Sequence, residues 1–489
     1  HAPDDDDGAS AGSAKALVAP AEPRARVAWL RDRVAAAIAA APRLGKAAIG
    51  VAVVDLATGE ELAAHDGDRA LSLASTAKLL TASAGLAVLG GGFRWRTTVY
   101  GDEPDDHGQL AGPLYVRGRG DPLLGGADLA ALAADVAARG VRSVERLVID
   151  ASYFDDAIEP PRFADQPAES AGFRAPVAAF AVARGAVTVI VTAEPGGGAK
   201  IALDPEPEPG GVVRVVNKGT TSAPKIHTRL RVELRPRKDH AELEVGGELR
   251  WGEGSYEVRR RVPDPVRFAG EVFRRALAAH GVKVRARAIG LGPVPPAAKQ
   301  LAVHDSPPLA EVVRHMNKQS DNYLAEVVLK TLGAEAKTTA GPARWADGLA
   351  ARDAAIAKLG LPAGSYRADN GSGLFDASAM SARQLTALLR AAHQDYRVGP
   401  DLVASLPIGG VDGTLARRWA GRLARGRVRA KTGTLDKVAA LAGYAAVDGQ
   451  HAVAFTILVN DIPPGQRASA RATADDIVDA LIAYLGPPR

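Results

Sequence analysis

The stretch Ala74-Ser75-Thr76-Ala77-Lys78-Leu79-Leu80-Thr81-Ala82 decides how the chain is read. Alanine and leucine favour the helix, so Ser75 and Lys78 are expected on one face at a helix N-terminus, where their side chains can meet. A serine hydroxyl becomes a useful nucleophile only when a nearby base takes its proton. A lysine can be that base if burial and a neighbouring cation lower its pKa toward neutrality. Alone, the pattern reads more simply as a serine-capped surface helix. Two later signals change that. Ser320-Asp321-Asn322 lies between helical patterns at 309–315 and 323–332 and is expected to be a loop presenting a hydroxyl and an amide to a cleft. Lys431-Thr432-Gly433-Thr434 follows Val428-Arg429-Ala430 in an expected strand, where Gly433 lets a ligand approach the backbone closely. Lys431 is also the candidate second cation beside Lys78. Each motif has an ordinary reading as a cap or a strand-end turn. All three in this order give a serine acyl-transfer site suited to an amide next to a carboxylate.

Outward from these motifs, residues 24–40 carry apolar positions at helical spacing, and residues 47–65 alternate around the turn signal Thr58-Gly59, predicting a helix and then a β-hairpin. At the other end, residues 427–460 read as three strands with breaks expected at Gly433 and at Asp448-Gly449, and 468–485 as a closing amphipathic helix. An isolated hairpin is marginal in water, so the two ends are expected to join in one antiparallel sheet covered by the terminal helices. Between Lys78 and Ser320 the numbering advances by 242 (320 minus 78), and the composition changes within that interval. Residues 97–180 mix strand-like pieces (114–117, 147–150) with a helical stretch at 127–138. Residues 181–256 alternate and are broken by Gly and Pro, as a β-rich insert would be. No repeat of fixed period is present.

Composition narrows the function classes. The chain has 489 residues and no cysteine, which excludes disulfides, thiolate metal sites and cysteine nucleophiles. Its 61 basic and 56 acidic residues nearly balance at +5, so no nucleic-acid partner is demanded, and the cluster Arg259 to Arg261 reads as a solvated strand end. No apolar run approaches the roughly 20 residues that cross a bilayer. The ten histidines form no His-Glu-x-x-His or other ligand spacing, and no phosphate-binding Gly-x-x-x-x-Gly-Lys occurs, so neither metal nor organic cofactor is expected. Residue 1 is His, with Asp4 to Asp7 reading as an acidic disordered tail. The expectation is a periplasmic or otherwise exported protein whose targeting segment has been removed.

With these residues in view the chain resembles the class C penicillin-binding proteins, of the penicillin-binding protein 4 type of D-alanyl-D-alanine carboxypeptidase and endopeptidase. His304-Asp305-Ser306-Pro307-Pro308-Leu309, Asn317-Lys318-Gln319, Asp369 to Leu374 and Gly409 to Leu415 are similar to that family's framing segments, as are Gly120-Asp121-Pro122 and Leu147 to Asp150 in the insertion. The resemblance implies an α/β (α+β) transpeptidase-like domain at 25–96 and 295–489, interrupted by a domain at 97–180 and 257–294, itself interrupted by a β-rich domain at 181–256. Residues 1–24 would be tail. It also implies roles. Ser75 is the acylated nucleophile and Lys78 its base, Ser320 relays a proton to the leaving amine, and Asn322 holds the substrate amide. Lys431, Thr432 and Thr434 hold the terminal carboxylate, with Gly433 between them, and the N–H groups of Ser75 and Thr434 form the oxyanion hole. Asp321 supports the loop. The implied partners are peptidoglycan stem peptides and β-lactams. The chain departs from the family pattern at Arg119, at Arg184, where an asparagine-rich turn is usual, and at Phe375, where serine is common; none touches the three motifs. A β-lactamase with this motif set deacylates with a glutamate, but no Glu-x-x-Leu-Asn segment is present. A wall-binding protein with vestigial catalysis is the remaining alternative, against which the intact motifs count.

Overall fold

A computed structural model describes residues 17–166, 169–222, 227–447 and 452–486. Contacts divide it into two units. The first consists of the described residues of His1–Gly92, Leu309–Leu332 and Gly348–Arg489, and so brings the two ends of the chain together. Helix α1 (Pro23–Ala39) starts where Glu22 accepts hydrogen bonds from the N–H groups of Arg24 and Ala25 and where Pro23 supplies a first-turn residue that has no N–H to leave unpaired. Strands β1 (Ala48–Asp55) and β2 (Glu61–His65) follow, then helix α2 (Lys78–Leu89), α3 (Leu309–Gln319), α4 (Asn322–Ala336) and α5 (Ala382–Gln394). Strands β3 (Val428–Leu435), β4 (Val438–Ala445) and β5 (Val453–Asn460) and helix α6 (Arg467–Leu485) close the unit.

The five strands form one antiparallel sheet in the order β3-β4-β5-β1-β2, and β1 pairs with β5 along its full length, from Ala48 opposite Asn460 to Asp55 opposite Val453. Every residue of β5 is buried, as expected of a central strand covered on both faces. On one side Leu30 and Val34 of α1 and Ile477, Val478 and Leu481 of α6 share a core with Val51, Val53, Phe455 and Ile457. Burial of each such side chain contributes about 1.5–3 kcal/mol. Helix α5 packs against β1 and β5, and Thr386 donates to the Thr456 hydroxyl at 2.8 Å. The architecture is the antiparallel sheet covered by helices expected from the two ends.

Gly433 does not interrupt its strand: it pairs with Ala440 inside β3, and the turn falls after Leu435 instead. The glycine is there because a side chain would collide with the neighbouring backbone. The Asp448-Gly449 break, like the acidic run Asp4 to Asp7, lies outside the described residues.

The second unit consists of Phe93–Pro308 and Gly333–Asp347. It has a five-stranded sheet whose strands run in the order Gly290–Leu291, Leu147–Asp150, Leu114–Arg117, Arg96–Gly101 and Lys299–Asp305. The helices Gly126–Ala138 and Pro265–Ala279 contribute Leu129, Leu132, Phe268 and Phe273 to its core. Two three-stranded sheets drawn from residues 186–261 belong to the same unit.

Candidate active site

Ser75 lies in a 3-10 turn, Ala74–Ala77, that runs directly into α2. The turn is held from several directions. Asn460, at the end of β5, accepts from the Ser72 N–H at 2.7 Å and donates to the Ser72 carbonyl at 3.1 Å. The Leu73 N–H donates to the Ser378 hydroxyl at 3.2 Å, and both the N–H and the hydroxyl of Thr76 donate to the Leu73 carbonyl. These bonds hold Ala74 at a φ of 45°, a left-handed conformation that costs an L-residue roughly 1–2 kcal/mol. The sheet thus sets where the serine stands.

The Lys78 ammonium is fully buried and donates to the Ser75 hydroxyl oxygen at 2.9 Å, to Asn322 Oδ1 at 2.7 Å and to the Ser372 carbonyl at 3.0 Å. Burial lowers its pKa to about 7, against the carboxylates of Glu326 and Asp321, which raise it. Lys431 is also completely buried, and burial followed by the neighbouring Lys78 charge pushes its pKa well down. Burial is thus the leading cause at both lysines, and the repulsion expected from the sequence acts on Lys431 only as the second cause.

The segment Gly371-Ser372-Gly373 closes the far side of Lys78. Glu326, fully buried on α4 one turn beyond Asn322, accepts from the N–H groups of Gly371 at 2.9 Å and Ser372 at 2.8 Å. Thr81 donates to the Gly371 carbonyl at 2.8 Å. Gly373 has a φ of 76°, and a β-carbon on it would stand 2.0 Å from the Ala74 carbonyl, so glycine is required on both counts.

Ser320 joins α3 to α4 at a φ of 56°, and its hydroxyl accepts from the Lys431 ammonium at 2.8 Å. Asp321 accepts from the Leu324 N–H at 3.1 Å, which is the N-cap bond of α4. Lys431 also donates to the Thr432 carbonyl at 2.7 Å, and the Thr432 hydroxyl bonds to that of Thr414 at 2.8 Å. Lys318, two residues before Ser320, pairs with Asp412, which also accepts from the Ile408 N–H. The loop 408–414 thereby ties the end of α3 to β3. At Gly433 an added β-carbon would lie 2.7 Å from the Leu73 carbonyl and 3.1 Å from the Ser75 nitrogen, so only a bare backbone lets β3 run against the serine turn.

Ser75 and Asn322 therefore meet at the Lys78 ammonium and Ser320 meets that of Lys431, the two groups joined through the Ser320-Asp321-Asn322 segment, with Thr432, Gly433 and Thr434 on the strand beside them. Sequence reasoning named all of these and missed Asn460, Ser378, Glu326 and Thr414. Glu326 did leave a trace, an acid in the otherwise apolar run Tyr323 to Leu329; Asn460 left none. Among the described residues no group of three or more His, Asp and Glu could hold a metal ion.

A buried lysine hydrogen-bonded to a serine, in a turn packed against this antiparallel sheet, defines a serine peptidase of the penicillin-binding, transpeptidase-like class. The chain belongs to the D-Ala-D-Ala carboxypeptidase 3 (S13) family, whose model matches residues 30–483. It is 36% identical over 455 residues to a D-alanyl-D-alanine carboxypeptidase of Actinomadura sp. strain R39, covering 89% of this chain and 82% of that one. In fold it is similar to penicillin-binding protein 4 of Haemophilus influenzae, with a TM-score of 0.75 at 24% identity over 92% of this chain and 98% of that one. The crystal structure of that protein with a novel β-lactam gives a TM-score of 0.71 at 23% identity and the same coverage.

Proposed function

We propose that the chain cleaves D-Ala-D-Ala or D-Ala-diaminoacid bonds of peptidoglycan peptides through an acyl-Ser75 intermediate, and that β-lactams trap it at that stage. The observation that carries this is the 2.9 Å contact between the Ser75 hydroxyl and a lysine whose pKa is brought to about 7. Neutral Lys78 takes the hydroxyl proton as Ser75 Oγ bonds to the carbonyl carbon, and the N–H groups of Ser75 and Thr434 receive the oxyanion. The tetrahedral intermediate collapses as the C–N bond breaks and the amine leaves with a proton relayed through Ser320. Water then releases the acyl group. Asn322 holds the substrate amide, and Lys431 with the Thr432 and Thr434 hydroxyls holds the terminal carboxylate, which would favour the charged form of that lysine on binding. Carboxypeptidase and endopeptidase action share these steps and differ in the leaving amine.

A peptidoglycan substrate supports an exported location, and no helix among the described residues is long and apolar enough to cross a membrane. Residues 97–180 and 257–294 as one inserted domain, with 181–256 as a β-rich domain nested in it, are part of the same proposal.

Intact mass after mixing wild-type and Ser75→Ala protein with benzylpenicillin tests it. One drug mass gained by the wild type alone is expected. No adduct with the drug intact points to a binding protein, and no adduct with rapid drug loss points to a β-lactamase.

A further inference from the structure

We propose that Glu326 is a positioning residue for the Lys78 amine, acting through the backbone of Gly371 and Ser372. The inference rests on the acyl-serine reading above and adds to it a residue that never touches substrate. Both carboxylate oxygens are used, Oε2 on the Gly371 N–H and Oε1 on the Ser372 N–H, at 2.9 and 2.8 Å. Those two bonds orient the peptide so that the Ser372 carbonyl meets the Lys78 ammonium at 3.0 Å. Asn322 stands one turn earlier on the same face of α4, and its Oδ1 accepts a hydrogen bond from Lys78 Nζ at 2.7 Å. Helix α4 therefore grips the amine twice, directly through Asn322 and indirectly through Glu326, which leaves its remaining contact on Ser75.

A carboxylate in this place also has an electrostatic consequence. It is fully buried, and burial raises its pKa, opposed by the Ser372 hydroxyl, the two N–H groups and Lys78, which favour the ionised form. The ionised form in turn favours the charged form of Lys78. The charged groups acting on Lys78 are Glu326 from α4 and Asp321 from the loop before it, and Lys78 in turn acts on Lys431 of β3. Glu326 thus offsets part of the burial that would otherwise take the lysine pKa still lower. A base is most effective with a pKa near the working pH, so a lysine left too acidic would be unprotonated but weak.

The second-order rate of Ser75 acylation by benzylpenicillin, followed from pH 5 to 9 on wild type, Glu326→Gln and Glu326→Asp, separates this role from a structural one. Wild type is expected to show an acid limb centred near the Lys78 value of about 7. Glu326→Gln removes the charge and turns one acceptor into a donor facing an N–H. Its limb is expected to move down by about one pH unit, and its plateau rate to fall by roughly tenfold or more. Glu326→Asp keeps the charge but shortens the reach, so its plateau should fall while the midpoint stays.

A Glu326→Gln limb that does not move would overturn the proposal, whatever happened to the rate, because a merely structural loss leaves the pH profile in place. If Glu326→Gln does not fold, Glu326→Asp decides alone, and a wild-type plateau in that variant would overturn it. Failure of the wild type itself to acylate at Ser75 would instead remove the functional reading on which the inference stands.

Discussion

Gly433→Ala isolates the contact between β3 and the serine turn. The glycine is not in a left-handed conformation, so alanine pays no backbone penalty and the effect is steric. Its β-carbon would stand 2.7 Å from the Leu73 carbonyl oxygen, 3.1 Å from the Ser75 nitrogen and 3.1 Å from the Ala440 β-carbon. A relaxed carbon-to-oxygen contact is about 3.3 Å or more, so strand and turn must separate by roughly 0.6 Å. A misplacement of about 1 Å costs roughly 10²-fold in rate, and loss of a whole oxyanion-hole donor about 10²–10³-fold. Acylation is therefore expected to fall by at least about tenfold and by no more than about 10³-fold, with about 1–3 kcal/mol lost from overpacking. Stopped-flow acylation by a chromogenic cephalosporin, with the unfolding midpoint measured alongside, provides both numbers. Adding Ala440→Gly should not restore the rate, since the Leu73 clash persists. A folded Gly433→Ala protein acylating within threefold of wild type would refute the reasoning.

Lys431→Ala should weaken carboxylate-bearing substrates more than neutral esters in kcat/KM; equal losses for both would count against its carboxylate role. Asp321→Ala should cost about 1 kcal/mol of stability through the lost N-cap of α4 and keep acylation within about tenfold, whereas Asn322→Ala should lose more activity than that; chemical denaturation and acylation rates check the pair. Lys78 has a native pKa of about 7 and an unfolded value of about 10.4, so between these values the unfolded chain holds the extra proton and stability rises with pH. Thermal unfolding of wild type and Lys78→Met should show the wild type gaining on the variant from pH 7 to pH 10, and a constant difference would sink the assignment.

Local sequence made the sheet legible, because apolar residues recur through 47–65 and 427–460 between turn signals and the covering helices carry apolar residues at helical spacing; β1, read as alternating, is instead buried over its first six residues. The motifs were legible because Ser75 and Lys78 are three residues apart on one turn, and because Lys431 and Gly433 lie on a single strand. The supports were not. Asn460 reaches the Ser72 backbone across 388 positions of sequence, and Ser378 reaches Leu73 across 305; no pattern within one segment encodes such a meeting. The left-handed residues are equally silent. Ala74 and Ser320 hold φ values of 45° and 56°, where glycine or asparagine would have announced the turn. Arg184 and Phe375, singled out as departures from the family pattern, also adopt left-handed backbone, at 60° and 59°. At those positions the chain keeps a conformation that suits asparagine better than arginine or phenylalanine, so the surrounding structure sets the backbone more than the residue does. The same holds for the serine turn: its strain is carried by Asn460, Ser378 and the bare backbone of Gly433, which explains why the reacting residues could be read in sequence while the groups that aim them could not.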